Sequence, residues 1–174
     1  MTETQIKVSV EDYLETEYTA FQRSEYLNGE VRMIDSNCRV YPSNRMLHIP
    51  ECNRFYYAGA IVVCGPTEFY DYKKKMKATL NPSIIIEVLS DSTEDYDRHA
   101  KWHCYQKIKS LKQYILVSQN ELYLESFQRI GDLNEWLFTS ADQLEQILKI
   151  GNCELSLRDI YANVFPAQTT PPAQ

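Results

Sequence analysis

The chain has 174 residues and no C-x-x-C pair, no apolar stretch of membrane-spanning length and no excess of positive charge. Each absence excludes something. A membrane span needs about 20 consecutive apolar residues, so none is expected. Residues 1–10 are polar and lack the apolar core of a secretory signal. The cysteines number five, an odd count, at Cys38, Cys52, Cys64, Cys104 and Cys153. Their spacing predicts free thiols in a reduced, cytoplasmic protein. The nearest approach to a zinc pattern, His99-x-x-x-His103 beside Cys104, has no second ligand pair and reads as solvated helix histidines. The formal net charge of -6 excludes the broad basic field of a general nucleic-acid binder, though a local basic patch is compatible with it. Glycine is scarce, at five residues. One of them, Gly59, sits at the centre of F-Y-Y-A-G-A-I-V-V-C-G (55–65), which otherwise reads as a core strand, although glycine weakens strand interiors.

Hydrophobic residues make up 44% of the chain, enough for a globular core. No repeat or linker interrupts it, which predicts one domain over residues 1–165. A Pro-, Thr- and Gln-containing tail at 166–174 is expected to be disordered. Ser9 with Asp12 predicts a helix start. Asn28-Gly29 is a hairpin signal between strands at 25–27 and 30–34. Residues 55–63 read as one strand, and 68–80 as a loop or short helix. Ile84–Leu89 and Gln113–Ser118 read as buried strands on either side of a helix over 92–109, a β-α-β unit. A hairpin is expected over 122–128 and 135–139, and short helices over 140–147 and 157–164.

One residue in this pattern points to chemistry. Glu87 stands inside I-I-I-E-V-L, where an ionised carboxylate costs several kcal/mol unless it is paired or metal-bound. It reads either as a Glu answered by an internal cation or as a metal ligand at the C-terminal edge of a central strand. Asp91, Asp97, Arg98 and Lys101 follow closely enough to converge on it, and Glu25 lies before the Asn-Gly turn. The run Lys73, Lys74, Lys75 and Lys77 reads either as a solvated face or as a local basic patch that holds phosphates.

The order of these features resembles a large bacterial family. The motifs are R-x-E-Y-L-N-G-E, Y-Y-x-x-x-x-V-V-C-G, N-P-x-x-I-I-E-V-L-S-x-S-T, D-R-x-x-K-x-x-x-Y and Q-Y-I-L-V, spanning residues 8–128. The family is that of restriction-endonuclease-like domains within the PD-(D/E)XK nuclease superfamily. The resemblance implies an α/β (α+β) fold, a mixed β-sheet flanked by helices. It implies metal-dependent DNA endonuclease activity, with an Asp and a Glu holding Mg²⁺ (or Mn²⁺) and a Lys assisting phosphodiester hydrolysis. By this resemblance Glu87 corresponds to the metal-binding Glu, Lys101 to the catalytic Lys and Glu25 to an acidic residue that joins the site. Asp97, Arg98 and Tyr105 fall at supporting positions, and Lys73, Lys74, Lys75 and Lys77 become nucleic-acid contacts.

Two departures weaken the correspondence. Where the family carries its metal-binding Asp, this chain has Gly59. The family's helix between the first hairpin and the next strand has no sequence left to form it, so the chain reads as internally shortened or lacking a segment. The loss of one of two anionic ligands predicts weak metal binding at most, and an inactive or nearly inactive nuclease. A sheet face left uncovered by the missing helix predicts a homodimer. The alternative is a non-catalytic nuclease-fold module that binds nucleic acid or protein.

Overall fold

The structure, a computed structural model, describes residues 8–19, 24–28, 30–33, 37–131, 134–162 and 164. These residues fall into two compact units, those within 8–39 together with 64–66, and those within 40–63 together with 67–164.

In the first unit, helix α1 (Val10–Thr19) begins where the sequence predicts. Ser9 Oγ accepts the Asp12 N–H at 3.0 Å and donates to the Asp12 carboxylate at 2.7 Å, satisfying one of the donors a helix start leaves open. Strands β1 (Ser24–Leu27) and β2 (Glu30–Met33) pair antiparallel, with Leu27 opposite Glu30. Asn28 has φ 52, the left-handed backbone such a tight turn requires. Gly29 lies outside the described residues. So do residues 34–36, where the family's helix would be missing.

The later strands are β3 (Cys38–Pro42), β4 (Met46–Ile49), β5 (Arg54–Tyr57), β6 (Ala60–Cys64), β7 (Phe69–Tyr72), β8 (Met76–Thr79), β9 (Ile84–Leu89), β10 (Gln113–Ser118), β11 (Leu124–Arg129), β12 (Trp136–Ala141), β13 (Ile147–Ile150) and β14 (Cys153–Ser156). A six-stranded mixed sheet has the order β12-β11-β10-β9-β6-β3, and a four-stranded sheet the order β5-β4-β8-β7. Between β9 and β10 runs one helical stretch. It is α2 (Glu94–Tyr96), a π-helical turn (Asp97–Lys101) and α3 (Trp102–Tyr105). The two strands pair in parallel, Ile84 opposite Gln113, as a β-α-β unit requires. A last short helix is α4 (Leu157–Ile160), with a Ser156–Asp159 capping box.

Strand periodicity decides which way Glu87 points. Alternate residues of β9 face opposite sides of the sheet. Ile85 and Leu89 pack with Cys104, Tyr105, Ile108 and Leu111 in one core. Ile84 and Ile86 belong to a second core with Ile115, Leu124, Leu148 and Leu157. Glu87 therefore shares the helix-side face of Ile85 and Leu89.

The structure corrects several expectations. Residues 55–63 are not one strand. They are β5 and β6, which belong to different sheets, and Gly59 lies in the bend between them. Residues 68–80 form the hairpin β7–β8, held by cross-strand pairs from Phe69 with Thr79 to Tyr72 with Met76. Its turn places both Lys73 and Lys74 at positive φ, 50 and 59. The helix over 92–109 ends at Tyr105. The carbonyls beyond it are taken by Arg129, which donates to Gln106, Ile108 and Leu111 at 2.8–3.0 Å. In place of a helix over 140–147, β12 runs to Ala141 and the hairpin β13–β14 follows. The helix over 157–164 is only the short α4. The proposed tail, 166–174, lies outside the described residues.

The cysteines also depart from expectation. Cys38 bonds Cys64 and Cys52 bonds Cys104, leaving Cys153 as a free thiol. The partners are 26 and 52 residues apart in sequence, so only the folded chain brings them together. Among the described residues, no helix is long and apolar enough to cross a membrane.

Candidate active site

Glu87 is only 4% exposed, and each of its carboxylate oxygens is answered. Oε1 accepts from Lys101 Nζ at 2.9 Å and from the Tyr105 hydroxyl at 2.9 Å. Oε2 accepts from the Gly59 N–H at 3.2 Å. Lys101 Nζ also lies 2.7 Å from Asp97 Oδ1, one helical turn earlier. Asp97 is buried, and the Tyr114 hydroxyl donates to its backbone carbonyl at 3.0 Å. One ammonium thus holds two buried carboxylates. Asp97 and Lys101 bound the π-helical turn, a local widening that recurs at functional sites.

The electrostatics follow from burial and pairing. Burial pushes the Glu87 carboxyl above the ordinary range, against the opposing pull of Lys101 and the Tyr105 hydrogen bond. Burial disfavours the Lys101 ammonium, but Asp97 and Glu87 more than compensate and hold it above its usual value. Burial and the neighbouring Glu87 push the Tyr105 hydroxyl up, so it stays a donor. Lys101 and Tyr105 are therefore fixed in their protonated forms at neutral pH. Neither serves as a general base there.

Gly59 is where the sequence comparison put the family's Asp. Ala60 pairs with Ile86, and continuing that antiparallel register by one residue sets Gly59 opposite Glu87. A Cβ built at Gly59 would lie 3.1 Å from the Ile86 carbonyl oxygen and 3.4 Å from the Val88 nitrogen. The approach is close, and the atoms it meets are the backbone of a central strand.

The described residues do not fit a divalent metal. Mg²⁺ requires several hard oxygen ligands in near-octahedral geometry. Among the described residues, no group of three or more His, Cys, Asp or Glu side chains is arranged to hold an ion. Glu87 and Asp97 are engaged with the Lys101 ammonium, which stands between them.

Other predicted residues lie elsewhere. Arg98 turns to Glu94, at 2.7 Å, and to Glu125 on β11, fastening the helix to the sheet. Asp91 accepts from the Asn120 side-chain amide at 2.6 Å. His99 bonds to Asp95, and Cys104 is in a disulfide, so the His99–His103 pair gains no ligand from it. Glu25 stands on β1 opposite Arg32. Its side chain lies outside the described residues. Lys73, Lys74 and Lys75 cluster at the β7–β8 turn, whereas Lys77 stands on β8 opposite Asp71. Sequence reasoning missed Glu125 as the partner of Arg98. Its strand, L-E-S-F-Q-R, is mostly polar, so no local signal singled Glu125 out.

Comparison with known proteins agrees with this architecture. The Uma2 family, described as "Putative restriction endonuclease", matches residues 24–157. An uncharacterized protein of Synechocystis sp. is 28% identical over 151 residues, covering 74% of this chain and 84% of the relative. A second uncharacterized Synechocystis protein is 24% identical over 165 residues, covering 80% and 84%. A crystal structure described as a putative nuclease belonging to DUF820, from Anabaena variabilis, superposes with a TM-score of 0.56 at 12% identity. It covers 91% of this chain and 99% of that one. The fold is that of a nuclease-like mixed α+β domain.

Proposed function

Because the chain belongs to the Uma2 family, described as putative restriction endonucleases, we propose that it is a PD-(D/E)XK-type nuclease fold whose phosphodiesterase site is quenched. By descent it is a metal-dependent DNA endonuclease. As written it hydrolyses DNA several orders of magnitude more slowly than an intact site, or not at all. The observation that carries this reading is the saturated Glu87 carboxylate. It accepts from Lys101, Tyr105 and the Gly59 N–H, and no second carboxylate extends from position 59. Glu87, Lys101 and Glu25 are the proposed remnants of the catalytic set, with Asp97, Arg98 and Tyr105 supporting them. Mg²⁺ or Mn²⁺ binds weakly, because Glu87 and Asp97 are already engaged with Lys101.

The test is plasmid nicking with Mg²⁺ or Mn²⁺. Efficient cleavage that Glu87→Gln abolishes would sink the reading. Gly59→Asp should raise Mn²⁺ affinity in calorimetric titration, and no change in a variant whose thermal melt shows it folded would mean that a carboxylate at position 59 does not complete a metal site. A homodimer and a cytoplasmic location complete the proposal, the latter without the support of free thiols, since Cys38 is bonded to Cys64 and Cys52 to Cys104. Sedimentation velocity reads the first, and a clean monomer removes it. Cell fractionation reads the second.

The second reading is a non-catalytic module that keeps this fold to bind nucleic acid. It is favoured by the same saturated carboxylate, which is stable without a metal, together with the lysines at the β7–β8 turn. It predicts affinity that falls steeply with salt.

A further inference from the structure

The four-stranded sheet leaves one face open, and that face is aromatic. Its opposite face carries Leu47, Ile49, Tyr56 and Thr79, all buried. Leu47 and Thr79 pair across β4 and β8, which fixes the pleat for both strands. The alternate residues, Met46 with Tyr57, His48 with Phe55, Tyr70 with Ala78 and Tyr72 with Met76, are cross-strand pairs on the open side. Phe55, Tyr57, Tyr70, Tyr72 and Met76 are each 40–53% exposed. Side chains of this kind are normally withdrawn from water, and a contiguous patch of them marks a binding surface. Ala78 keeps the floor of the face low. The result is a groove of about 390 Å³ lined by Met46, Phe55, Tyr70, Tyr72, Met76 and Ala78.

Two further observations bear on what the groove takes. The rim beside Tyr72 and Met76 is the turn that carries Lys73, Lys74 and Lys75, and Lys73 Nζ lies 5.4 Å from the Tyr72 ring centroid. Three consecutive cations at the edge of an aromatic face stand out on a chain of net charge -6. Beneath the rings, His48 is 8% exposed and stacks on Phe55 at 4.2 Å between centroids. Among the described residues its Nδ1 has no hydrogen-bond partner, which is uncommon for a buried polar atom.

We infer that this face is a stacking platform for single-stranded nucleic acid. Bases lie on the Phe55, Tyr57, Tyr70 and Tyr72 rings, and the backbone phosphates run past the lysine turn. Flat rings flanked by cations match the two chemical halves of an unpaired strand, a π-face and an anionic backbone. A duplex hides its base faces and offers this surface only phosphates. The choice of a nucleic acid rests on the nuclease-fold reading above. The face itself lies apart from Glu87, on a different sheet.

The experiment measures fluorescence anisotropy of the full chain with a labelled oligothymidylate of about 20 nucleotides, longer than the ~4–16 nucleotides one domain covers. The same-length duplex serves as comparison. The single strand should bind more tightly than the duplex. Tyr72→Ala and Phe55→Ala should each weaken it by about tenfold. Replacing Lys73, Lys74 and Lys75 with Ala should flatten the salt dependence by about 2 in log–log slope, at ~0.7 per phosphate contact. Because Phe55 also packs on His48, Tyr57→Ala and Tyr72→Ser repeat the test at less supported rings, with thermal melts confirming folding. Equal binding of single strand and duplex, with the ring variants at wild-type affinity, overturns the proposal. So does absence of binding together with self-association, or with adsorption to anionic phosphatidylserine vesicles, that the same ring variants abolish. Nicking assays answer separately. Failure of single-strand binding sinks this platform, failure of the duplex as well sinks the nucleic-acid-binding module with it, and efficient Glu87-dependent cleavage sinks the quenched-site reading alone.

Discussion

At the scale of single residues, the question is why a carboxylate survives in the core at Glu87. A buried ion is tolerated when it is paired and its lone pairs are used. Lys101 supplies the charge, and Tyr105 and the Gly59 N–H take the remaining acceptor positions. Lys101 also answers Asp97, so removing it leaves two buried carboxylates facing each other without a cation. Lys101→Met should therefore destabilise the protein by about 3–5 kcal/mol. Glu87→Gln should cost less, because Lys101 keeps Asp97 as a partner. Urea midpoints of the two variants check the order, and a Lys101→Met protein as stable as wild type would show the pair to be dispensable. Glu87 was legible in the sequence because a lone charge in an apolar run demands an explanation. Asp97 and Lys101 were legible as neighbours one turn apart. The direct hydrogen bond from Tyr105, eighteen residues further on, was not, since it depends on how the helix lies over β9.

At the scale of elements, the helical stretch that carries Asp97, Lys101 and Tyr105 is tied down at both ends. Arg98 grips Glu125 on β11, and Cys104 is bonded to Cys52 in the 3-10 turn Pro50–Cys52 that follows β4. The bridge closes a loop whose ends are 52 residues apart. Cross-links over loops of this size stabilise chiefly by restricting the unfolded chain, typically by about 2–4 kcal/mol. Cys52→Ser should lower stability by about that amount, whereas Cys153→Ser, at an exposed free thiol, should change little. Thermal melts of the two variants beside wild type make the comparison, and a Cys52→Ser curve coincident with wild type would deny the bridge a structural role. The strands β9 and β10 were readable because continuous apolar runs bounded by turn residues have few alternatives. The hairpins β7–β8 and β13–β14 were not. Their short, half-exposed strands owe their state to cross-strand partners more than to local pattern. The break at Gly59 was hidden for a related reason. Hydrophobicity continues through 55–65, and only the divergence of two sheets turns it into two strands.

At the scale of the whole molecule, several buried hydroxyls and one buried ammonium share a direction of shift. Burial raises Tyr56 from 10.0 to about 12, and it lifts Tyr105 and Tyr114 further. Lys101, paired with Asp97 and Glu87, is raised above 10.5. For each group the folded state keeps a proton that the unfolded chain releases first. The stability they contribute is complete below about pH 10 and is lost as pH rises through the folded values. Glu87 has the same sign at the acid end, since its contribution is present below the unfolded value of 4.5 and fades as pH rises through its elevated folded value. The melting temperature should therefore fall steeply between about pH 10 and 12. Replacing Tyr56 with Phe should blunt that fall, and an unchanged alkaline slope would show that Tyr56 ionisation is not coupled to unfolding.

The sequence by itself determined the local facts. These are a cap at Ser9, a tight turn at Asn28, two buried parallel strands and a charge at Glu87 that needed a partner. Each follows from interactions within a few residues or from a period of two along a strand. What only the tertiary structure decided is who meets whom. It bonds Cys52 to Cys104, gives Lys101 to two carboxylates at once, and turns F-Y-Y-A-G-A-I-V-V-C into two strands of different sheets. It also gathers four rings from two hairpins onto one open face. Those outcomes depend on contacts between residues far apart in the chain, whose free energy appears only when the whole chain has folded.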